Sequence, residues 1–174
     1  MSCKILLLGS ASAGKSSFVK KYVYQVFPEN YKKTVGIQYG EKILKSNKKQ
    51  NIILELWDIS SNQLMSPYTR VYYCGATVAI IFVDLTNKLS FDEAILWKKT
   101  LEKGMDTMQI ILVYNKCDIA KNKWVITKEE IKKFSKENGF INYFIISVKN
   151  DVGINEMINY IISFTNKEIL KTTN

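Results

Sequence analysis

The sequence predicts an α/β domain of three layers, in which helices cover both faces of a doubly wound, mostly parallel sheet. Short apolar runs without polar alternation recur along the chain, which is typical of strands buried on both faces. Segments with apolar residues at helical spacing separate these runs, and this alternation favours right-handed crossovers. A glycine-rich turn joins the first run to the first helical segment. The five runs span residues 5–8, 52–57, 78–83, 110–114 and 143–146.

A sixth strand is predicted over residues 36–46. A turn near Asn47 would pair this segment with the run at 52–57 as a hairpin, so the two strands would be antiparallel. The expected sheet therefore has six strands, of which one runs against the others. Helices are predicted at residues 15–26, 91–103 and 128–138. One face of a last helix is predicted to carry Ile154, Met157, Ile158, Ile161, Thr165 and Ile169.

The helix predicted over residues 128–138 has signals at both of its ends. Thr127 stands at the N-cap, and Glu130 three residues later completes a capping box, in which each side chain accepts a hydrogen bond from the other residue's backbone N–H. Gly139 follows the last helical residue, where a left-handed backbone commonly ends a helix.

The composition excludes several classes of function. The 174 residues fit a single domain, residues 1–174, and no apolar run forms a signal peptide or approaches membrane-spanning length. The chain has no histidine, so histidine catalysis and histidine metal sites are excluded. Cys3, Cys74 and Cys117 lack metal-binding spacing and suit a reducing, cytoplasmic compartment. The net charge of +9 comes mainly from scattered lysines, which are best explained as solvated residues on helix faces. Attraction to an anionic membrane surface is the second explanation, and nucleic acid is not an expected partner.

The turn after the first run reads GSASAGKS at residues 9–16 and fits the phosphate-binding pattern G-x-x-x-x-G-K-[ST]. Its glycines allow a tight curl, so that backbone N–H groups point at a phosphate beside a helix N-terminus. Lys15 is expected to reach the β- and γ-phosphates, and the Ser16 hydroxyl to bind Mg²⁺. A plain Gly/Ser turn is the simpler alternative, but the flanking strand and helix favour nucleotide binding. The predicted phosphate contacts are Ser12, Ala13, Gly14, Lys15, Ser16 and Ser17.

Two further motifs follow the last two strands, at the sheet edge where the phosphate loop lies. NKCD at residues 115–118 fits N-K-x-D, in which the carboxylate of Asp118 accepts from both N1–H and the exocyclic amine of guanine. Adenine lacks this donor pair, so the motif predicts guanine specificity. The motif lysine would lie along the base, and the asparagine would link this loop to the phosphate loop. In SVK at residues 147–149, the Val148 N–H could bond guanine O6. The predicted guanine contacts are Asn115, Lys116, Asp118, Ser147, Val148 and Lys149.

Segments spread over the chain share one family pattern: GSASAGKSS at 9–17, TVGI at 34–37, WD at 57–58, TRVYY at 69–73, GA at 75–76, NKCD at 115–118 and SVK at 147–149. With these segments the chain resembles the Ras superfamily of small GTPases, and in particular the Rab subgroup associated with lysosome-related organelles. The resemblance covers essentially the whole chain. It implies the P-loop NTPase fold, binding of GTP or GDP with Mg²⁺, hydrolysis of GTP, and a nucleotide-dependent switch in vesicle trafficking.

The resemblance also assigns roles outside these motifs. Thr34, in the segment called switch I, would bind Mg²⁺ when GTP is present, and Asp58 would hold the ion through water. Phe27 would pack against the base, and Tyr31 would cover the phosphates. For each of these residues, a position in the core or in a loop is the simpler alternative. The implied surface for effector proteins consists of Ile37, Tyr39, Trp57 and Tyr72.

The segment called switch II departs from the family pattern W-D-T-A-G-Q-E, since this chain reads WDISSNQ at residues 57–63. Ser61 replaces the glycine whose N–H contacts the γ-phosphate, and serine tolerates fewer backbone conformations. Asn62 replaces the glutamine that orients the attacking water, and its reach is shorter by about 1 Å. Because positioning dominates phosphoryl transfer, slow intrinsic hydrolysis is expected, with Lys15, Thr34 and Asn62 as catalytic residues.

The leading hypothesis is a Rab-like GTPase at the cytosolic face of intracellular membranes, with effectors, an exchange factor and an activating protein as partners. Residues 168–174 lack the prenylated cysteines with which Rab proteins end. We expect that a lipidated tail for peripheral membrane association is missing here; the alternative is a protein that does not anchor by prenylation. The alternative is a pseudo-GTPase that binds guanine nucleotide and serves as an interaction module. A P-loop kinase of small molecules is disfavoured, because the guanine motifs have no role in it.

Overall fold

The computed structural model describes residues 2–30, 32–45, 51–66, 69–103 and 108–172. Within these ranges lie six strands and five helices, together with 3₁₀ turns at Ser61–Met65 and Lys121–Lys123. The strands are β1 (Ser2–Gly9), β2 (Ile37–Leu44), β3 (Ile52–Ile59), β4 (Val78–Asp84), β5 (Gln109–Asn115) and β6 (Asn142–Ile145). The helices are α1 (Lys15–Tyr24), α2 (Thr69–Tyr73), α3 (Leu89–Glu102), α4 (Lys128–Glu137) and α5 (Ile154–Thr172).

The strands form one sheet in the order β2-β3-β1-β4-β5-β6. All neighbours are parallel except β2, which runs antiparallel to β3. The prediction of a mostly parallel six-stranded sheet with one antiparallel strand is therefore confirmed. The turn predicted near Asn47 lies outside the described residues. Because β1, β3, β4 and β5 are parallel, the residues that follow them meet at one edge of the sheet.

Alternation within the strands builds a core on each face of the sheet. In β1, Ile5 and Leu7 pack in the core that includes side chains of α1 and α5. Leu6 and Leu8 pack in the opposite core, which includes side chains of α3 and α4. All four residues are fully buried. Both faces of the strand therefore need apolar side chains, which explains why the apolar runs show no polar alternation.

Helix α4 begins and ends as its sequence predicts. The Glu130 N–H donates to the Thr127 hydroxyl at 3.3 Å, and the Thr127 N–H donates to Glu130 Oε2 at 2.8 Å, which completes the capping box. That backbone bond lowers the pKa of Glu130. The helix ends at Glu137, one residue before the predicted boundary, and Gly139 follows with a φ of 64°.

Other elements differ from the predictions. Helix α1 ends at Tyr24 rather than at residue 26, because Gln25 adopts a left-handed φ of 59° and its N–H bonds back to the Lys21 carbonyl. Helix α2 and the two 3₁₀ turns were not predicted. Segments this short contain too few residues to show an apolar period, so the sequence pattern carries no signal for them.

Removing the cap of α4 should weaken the fold. Thr127→Ala deletes the hydroxyl that accepts the Glu130 N–H. Loss of such an N-cap costs about 1 kcal/mol, and we expect the free energy of urea unfolding to fall by this amount. Lys132→Ala, on the exposed face of the same helix, is the control and should change that free energy by less than about 0.5 kcal/mol. Equal losses in the two variants would contradict the capping role.

Candidate nucleotide-binding site

The phosphate loop connects β1 to α1 at the carboxyl edge of the sheet. A Cβ at Gly9 would lie 2.2 Å from the carbonyl oxygen of Phe82, and a Cβ at Gly14 would lie 2.1 Å from the Asn115 side-chain nitrogen. Both glycines also have positive φ angles, of 124° and 104°. Side chains at either position are thus excluded twice, by space and by backbone conformation. The loop therefore packs directly against β4 and β5.

Lys15, the first residue of α1, bonds back to the start of the phosphate loop. Its Nζ donates to the carbonyl oxygens of Gly9 at 2.8 Å and Ser10 at 2.7 Å, and the residue is buried. Burial lowers the pKa of Lys15 to about 8, against the opposing influence of the Asp58 charge. A buried ammonium bonded to neutral carbonyls is stabilised strongly by a nearby anion. This position therefore suits the predicted contact with phosphate.

Three oxygen-bearing side chains converge beside the loop. The Ser16 hydroxyl lies 2.6 Å from the Thr34 hydroxyl and donates to Asp58 Oδ2 at 2.5 Å. Burial raises the pKa of Asp58, while the bond from Ser16 and the charge of Lys15 lower it. Asp58 Oδ1 is buried and has no hydrogen-bond partner within the described chain. A buried, unpartnered carboxylate oxygen beside two hydroxyls fits Mg²⁺, which prefers oxygen ligands.

Asn115 joins the phosphate loop to the loop after β6. Its Nδ2 donates to the Ala13 carbonyl at 2.9 Å, so the predicted link between the two motifs is present. Its Oδ1 accepts from the Val148 N–H at 3.1 Å. The Val148 N–H was predicted to face guanine O6, and here it bonds to Asn115 because the carboxamide oxygen is within its reach. Asn115 is buried.

A cleft of about 350 Å³ lies on the predicted guanine side. It continues into a second cleft on the phosphate side, because residues of the phosphate loop and of the segment after α1 line both. The two clefts together form one groove with room for a base at one end and phosphates at the other. The shared lining residues are Ser12, Gly14, Ser17, Pro28 and Asn30. The base end is lined by Phe27, Lys116, Asp118, Val148 and Lys149, among others.

Ser147 orients the carboxylate that is expected to read guanine. Its hydroxyl donates to Asp118 Oδ1 at 2.6 Å and accepts from the Asn150 N–H at 3.1 Å. Ser147 is fully buried, whereas Asp118 is exposed at the groove. The predicted contribution of Ser147 to the base site is therefore indirect, since it holds Asp118 in a fixed orientation.

Switch II contains a serine that no sequence pattern had indicated. Ser60 is buried, its N–H donates to the Gly36 carbonyl at 3.0 Å, and its hydroxyl donates to the Thr34 carbonyl at 2.9 Å. Ser61 lines the phosphate cleft and opens a 3₁₀ turn with a negative φ. The expected resistance of Ser61 to the backbone arrangement of the GTP-bound state stays a prediction. Asn62 is exposed on the same turn.

The residues predicted to face effectors lie close to one another. Tyr39 of β2 is the register partner of Trp57 of β3, and their rings meet edge to face with centroids 5.8 Å apart. Tyr39 is 49% exposed, while Ile37, Trp57 and Tyr72 are partly buried against the core on the α3 side. Tyr31, predicted to cover the phosphates, lies outside the described residues.

Asp84 is a second residue that the sequence analysis missed. It ends β4, is buried, and accepts a hydrogen bond from Lys116 Nζ at 2.5 Å. Lys116 was predicted to lie along the base, and it does line the base end of the groove, with its amine bonded to Asp84. The available signal was a carboxylate directly after a buried apolar run, but the sequence does not reveal which strand lies next to β4.

Gly14 should not tolerate a side chain. In Gly14→Ala the new Cβ would displace the Asn115 side chain, so that both loops lose a shared hydrogen-bonding partner. We expect GDP affinity to fall at least about tenfold, the equivalent of one lost hydrogen bond. Titration with a fluorescent GDP analogue measures this. Gly75→Ala is the matched control, because Gly75 also has positive φ but no atom within 4 Å of the added Cβ. Equal weakening in both variants would contradict the packing argument.

The chain is similar to known proteins over most of its length. The Ras family model matches residues 4–167 of the chain. Rab-7L1 of Homo sapiens is 34% identical over 164 residues, which cover 91% of this chain and 80% of that protein. Rab-32A of Dictyostelium discoideum is 32% identical, covering 91% of this chain and 75% of that protein. Rab-32 of Homo sapiens is 30% identical, and the match covers 95% of this chain and 79% of that protein. The chain therefore belongs to the Ras family, as a small GTPase of the Rab branch related to the subgroup of lysosome-related organelles.

Proposed function

We propose that this protein is a nucleotide-dependent switch in membrane trafficking that binds GTP or GDP with Mg²⁺ and, by itself, hydrolyses GTP slowly. Guanine-nucleotide binding and the GTPase class follow from the family. The observation that carries the finer proposal is the contact between Ser16 of the phosphate loop and Thr34 of switch I, 2.6 Å apart. Through this contact, the state of the phosphates is coupled to the segment that leads into β2 and the effector surface.

The phosphate end of the groove supplies charge and hydrogen-bond donors. Lys15 and the backbone N–H groups of the loop would bind the β- and γ-phosphates. Ser16, Thr34 and Asp58 would hold Mg²⁺, because their oxygens already converge at one point. The chemistry supplied by the ion there is neutralisation of charge on the transferred phosphate.

The base end of the groove would select guanine. Asp118 would accept from N1–H and the exocyclic amine, in the orientation that Ser147 imposes. Phe27, Lys116 and Lys149 line the same cleft, so they would contact the flat faces of the base or its surroundings. A purine without the paired donors would offer no hydrogen bond to the carboxylate of Asp118, which disfavours adenine.

Slow intrinsic hydrolysis is proposed from Asn62. This side chain is shorter than glutamine by one methylene, and a misplacement of about 1 Å can cost roughly a hundredfold in rate. Ser61 would add to this limit, because serine tolerates fewer of the backbone conformations that the glycine of the family pattern can adopt in the GTP-bound state. An activating protein that contributes its own side chains would bypass this limit.

The surface formed by Ile37, Tyr39, Trp57 and Tyr72 is the proposed binding site for effectors, and regulators would contact the adjacent switch segments. The proposal treats residues 1–174 as one domain that acts at the cytosolic face of intracellular membranes, by analogy with its Rab relatives. Among the described residues, no helix is both long enough and apolar enough to cross a bilayer.

A pseudo-GTPase that serves as an interaction module is the second candidate. Two observations favour it: Ser61 and Asn62 both differ from the family pattern of switch II, and Asn62 is exposed on its turn. In that case nucleotide binding would stabilise the fold without changing the affinity for partners. Partner binding compared between the GDP form and the form with a non-hydrolysable GTP analogue separates the two candidates.

Single-turnover hydrolysis of bound GTP tests the proposed slow turnover. The double variant Ser61→Gly, Asn62→Gln should hydrolyse GTP faster than the wild type, by up to roughly a hundredfold. Asn62→Gln alone separates the contribution of the amide's reach from that of the serine backbone. Gln63→Asn shortens the neighbouring amide and is the control, with no acceleration expected. Identical rates in the wild type and the double variant would contradict the proposal.

Asp118→Asn should change base preference. An amide can donate to the second carbonyl of xanthine, where the carboxylate would be repelled, so preference should move from GDP toward XDP. Loss of a charged hydrogen bond predicts a decrease in GDP affinity of roughly 10- to 100-fold, measured by competition between the two nucleotides. Asp92→Asn, at an exposed position on α3, is the control. Unchanged GDP preference in Asp118→Asn would count against the guanine assignment.

A further inference from the structure

Asp84 lies at the guanine side of the groove because of the sheet order. It is the last residue of β4 and the register partner of Asn115, which is the last residue of β5. Asp84 is only 7% exposed, so its charge must be compensated inside the protein. It belongs to neither guanine motif and takes no part in the phosphate or metal contacts.

The Asp84 carboxylate is held at both oxygens. Its Oδ1 accepts from the N–H and the hydroxyl of Thr86, at 2.9 Å and 2.7 Å, and its Oδ2 accepts from Lys116 Nζ at 2.5 Å. The backbone of Asp84 is held as well, because its N–H donates to the Ser90 hydroxyl at 3.1 Å, and that hydroxyl in turn donates to the Asn87 carbonyl at 2.6 Å. The carboxylate therefore presents a fixed acceptor to Lys116.

Lys116 has an unusual backbone conformation. Its φ is 71°, in the left-handed region that side chains with a Cβ rarely adopt. Such strain persists where surrounding contacts determine the conformation, and it is common at ligand sites. The N–H of the next residue, Cys117, bonds to the Ile146 carbonyl at 3.1 Å and fixes the chain after it. The side chain of Lys116 lines the base end of the groove.

We propose that Asp84 is a positioning residue for guanine binding. By holding the Lys116 amine, it keeps the aliphatic part of that lysine in place as a wall of the base cleft. This inference rests on the proposed function, since it requires the base to occupy that cleft. A free lysine side chain would have to be ordered when nucleotide binds, and the ion pair removes most of that entropic cost in advance. The expected consequence is slow nucleotide release with unchanged base preference, because Asp84 and the Lys116 amine take no part in reading the edge of the base, which the proposed function assigns to Asp118.

A double-mutant cycle on nucleotide release tests the proposal. Dissociation of a fluorescent GDP analogue is measured in excess GDP and fixed Mg²⁺, for the wild type, Asp84→Asn, Lys116→Met and the double variant. Asp84→Asn should release the analogue about tenfold faster, as expected for truncation of a buried charged pair. Lys116→Met keeps the aliphatic chain and removes the amine. In that background, Asp84→Asn should produce no further acceleration, and the preference for GDP over XDP should stay at the wild-type value in Asp84→Asn.

Glu102→Gln is the control, because it removes an exposed carboxylate that pairs with Lys98 on α3 and should leave release unchanged. The proposal is overturned if Asp84→Asn releases GDP at the wild-type rate, or if it accelerates release equally in both backgrounds. The second outcome would indicate a purely structural carboxylate. Failure of the wild type to retain any guanine nucleotide would instead refute the proposed function, and this inference with it.

Competitive acetylation of the wild-type protein gives a second test, which applies even if Asp84→Asn does not fold. In the GDP-bound protein, the paired amine of Lys116 should react more slowly than that of Lys132, which is exposed on α4. Peptide mass spectrometry reads the two extents of labelling. Equal reaction of the two lysines would show that the amine is not held by Asp84 and would overturn the proposal.

Discussion

The buried carboxamide of Asn115 is the constraint on which the rest of the site depends. Its nitrogen bonds to Ala13 in the phosphate loop, and its oxygen accepts from Val148 in the loop after β6. One rigid planar group thus fixes the separation of two loops that serve opposite ends of the same ligand. Gly14 is part of this constraint, because a Cβ there would occupy the place of the carboxamide nitrogen. The motif predicted to read guanine therefore also shapes the phosphate loop.

The strands could be predicted because the sheet is covered on both faces. Interior strands then need apolar side chains on both sides, and runs such as residues 78–83 carry no competing pattern. Their ends were less accurate, since ladder pairing continues past the last apolar residue to Asp84 and Asn115. Helix α2 and the 3₁₀ turn at Ser61–Met65 are too short for a period, so tertiary contacts rather than local pattern determine them.

The motif residues of the site could be predicted because chemistry fixes both residue type and spacing. Ser16 and Asp58 meet as the family pattern implies, although they lie far apart in sequence. Asp84 and Ser60 could not be predicted in the same way, because topology supplies their partners. Asp84 meets Lys116 only because β4 lies beside β5, and Ser60 meets switch I where β2 pairs with β3. A single serine or aspartate carries no such information in the sequence.

Switch I is held through both the side chain and the backbone of Thr34. The Thr34 hydroxyl contacts Ser16, and the Thr34 carbonyl accepts from Ser60 of switch II. If switch I moves away from the phosphate loop, its bond to Ser60 either breaks or carries switch II along, so the positions of the two segments are coupled. Cooperative release is what separates two discrete states from gradual deformation. The serine at position 60 thus provides a coupling that alanine, which lacks a hydroxyl, could not, at the point where Ser61 and Asn62 depart from the family pattern.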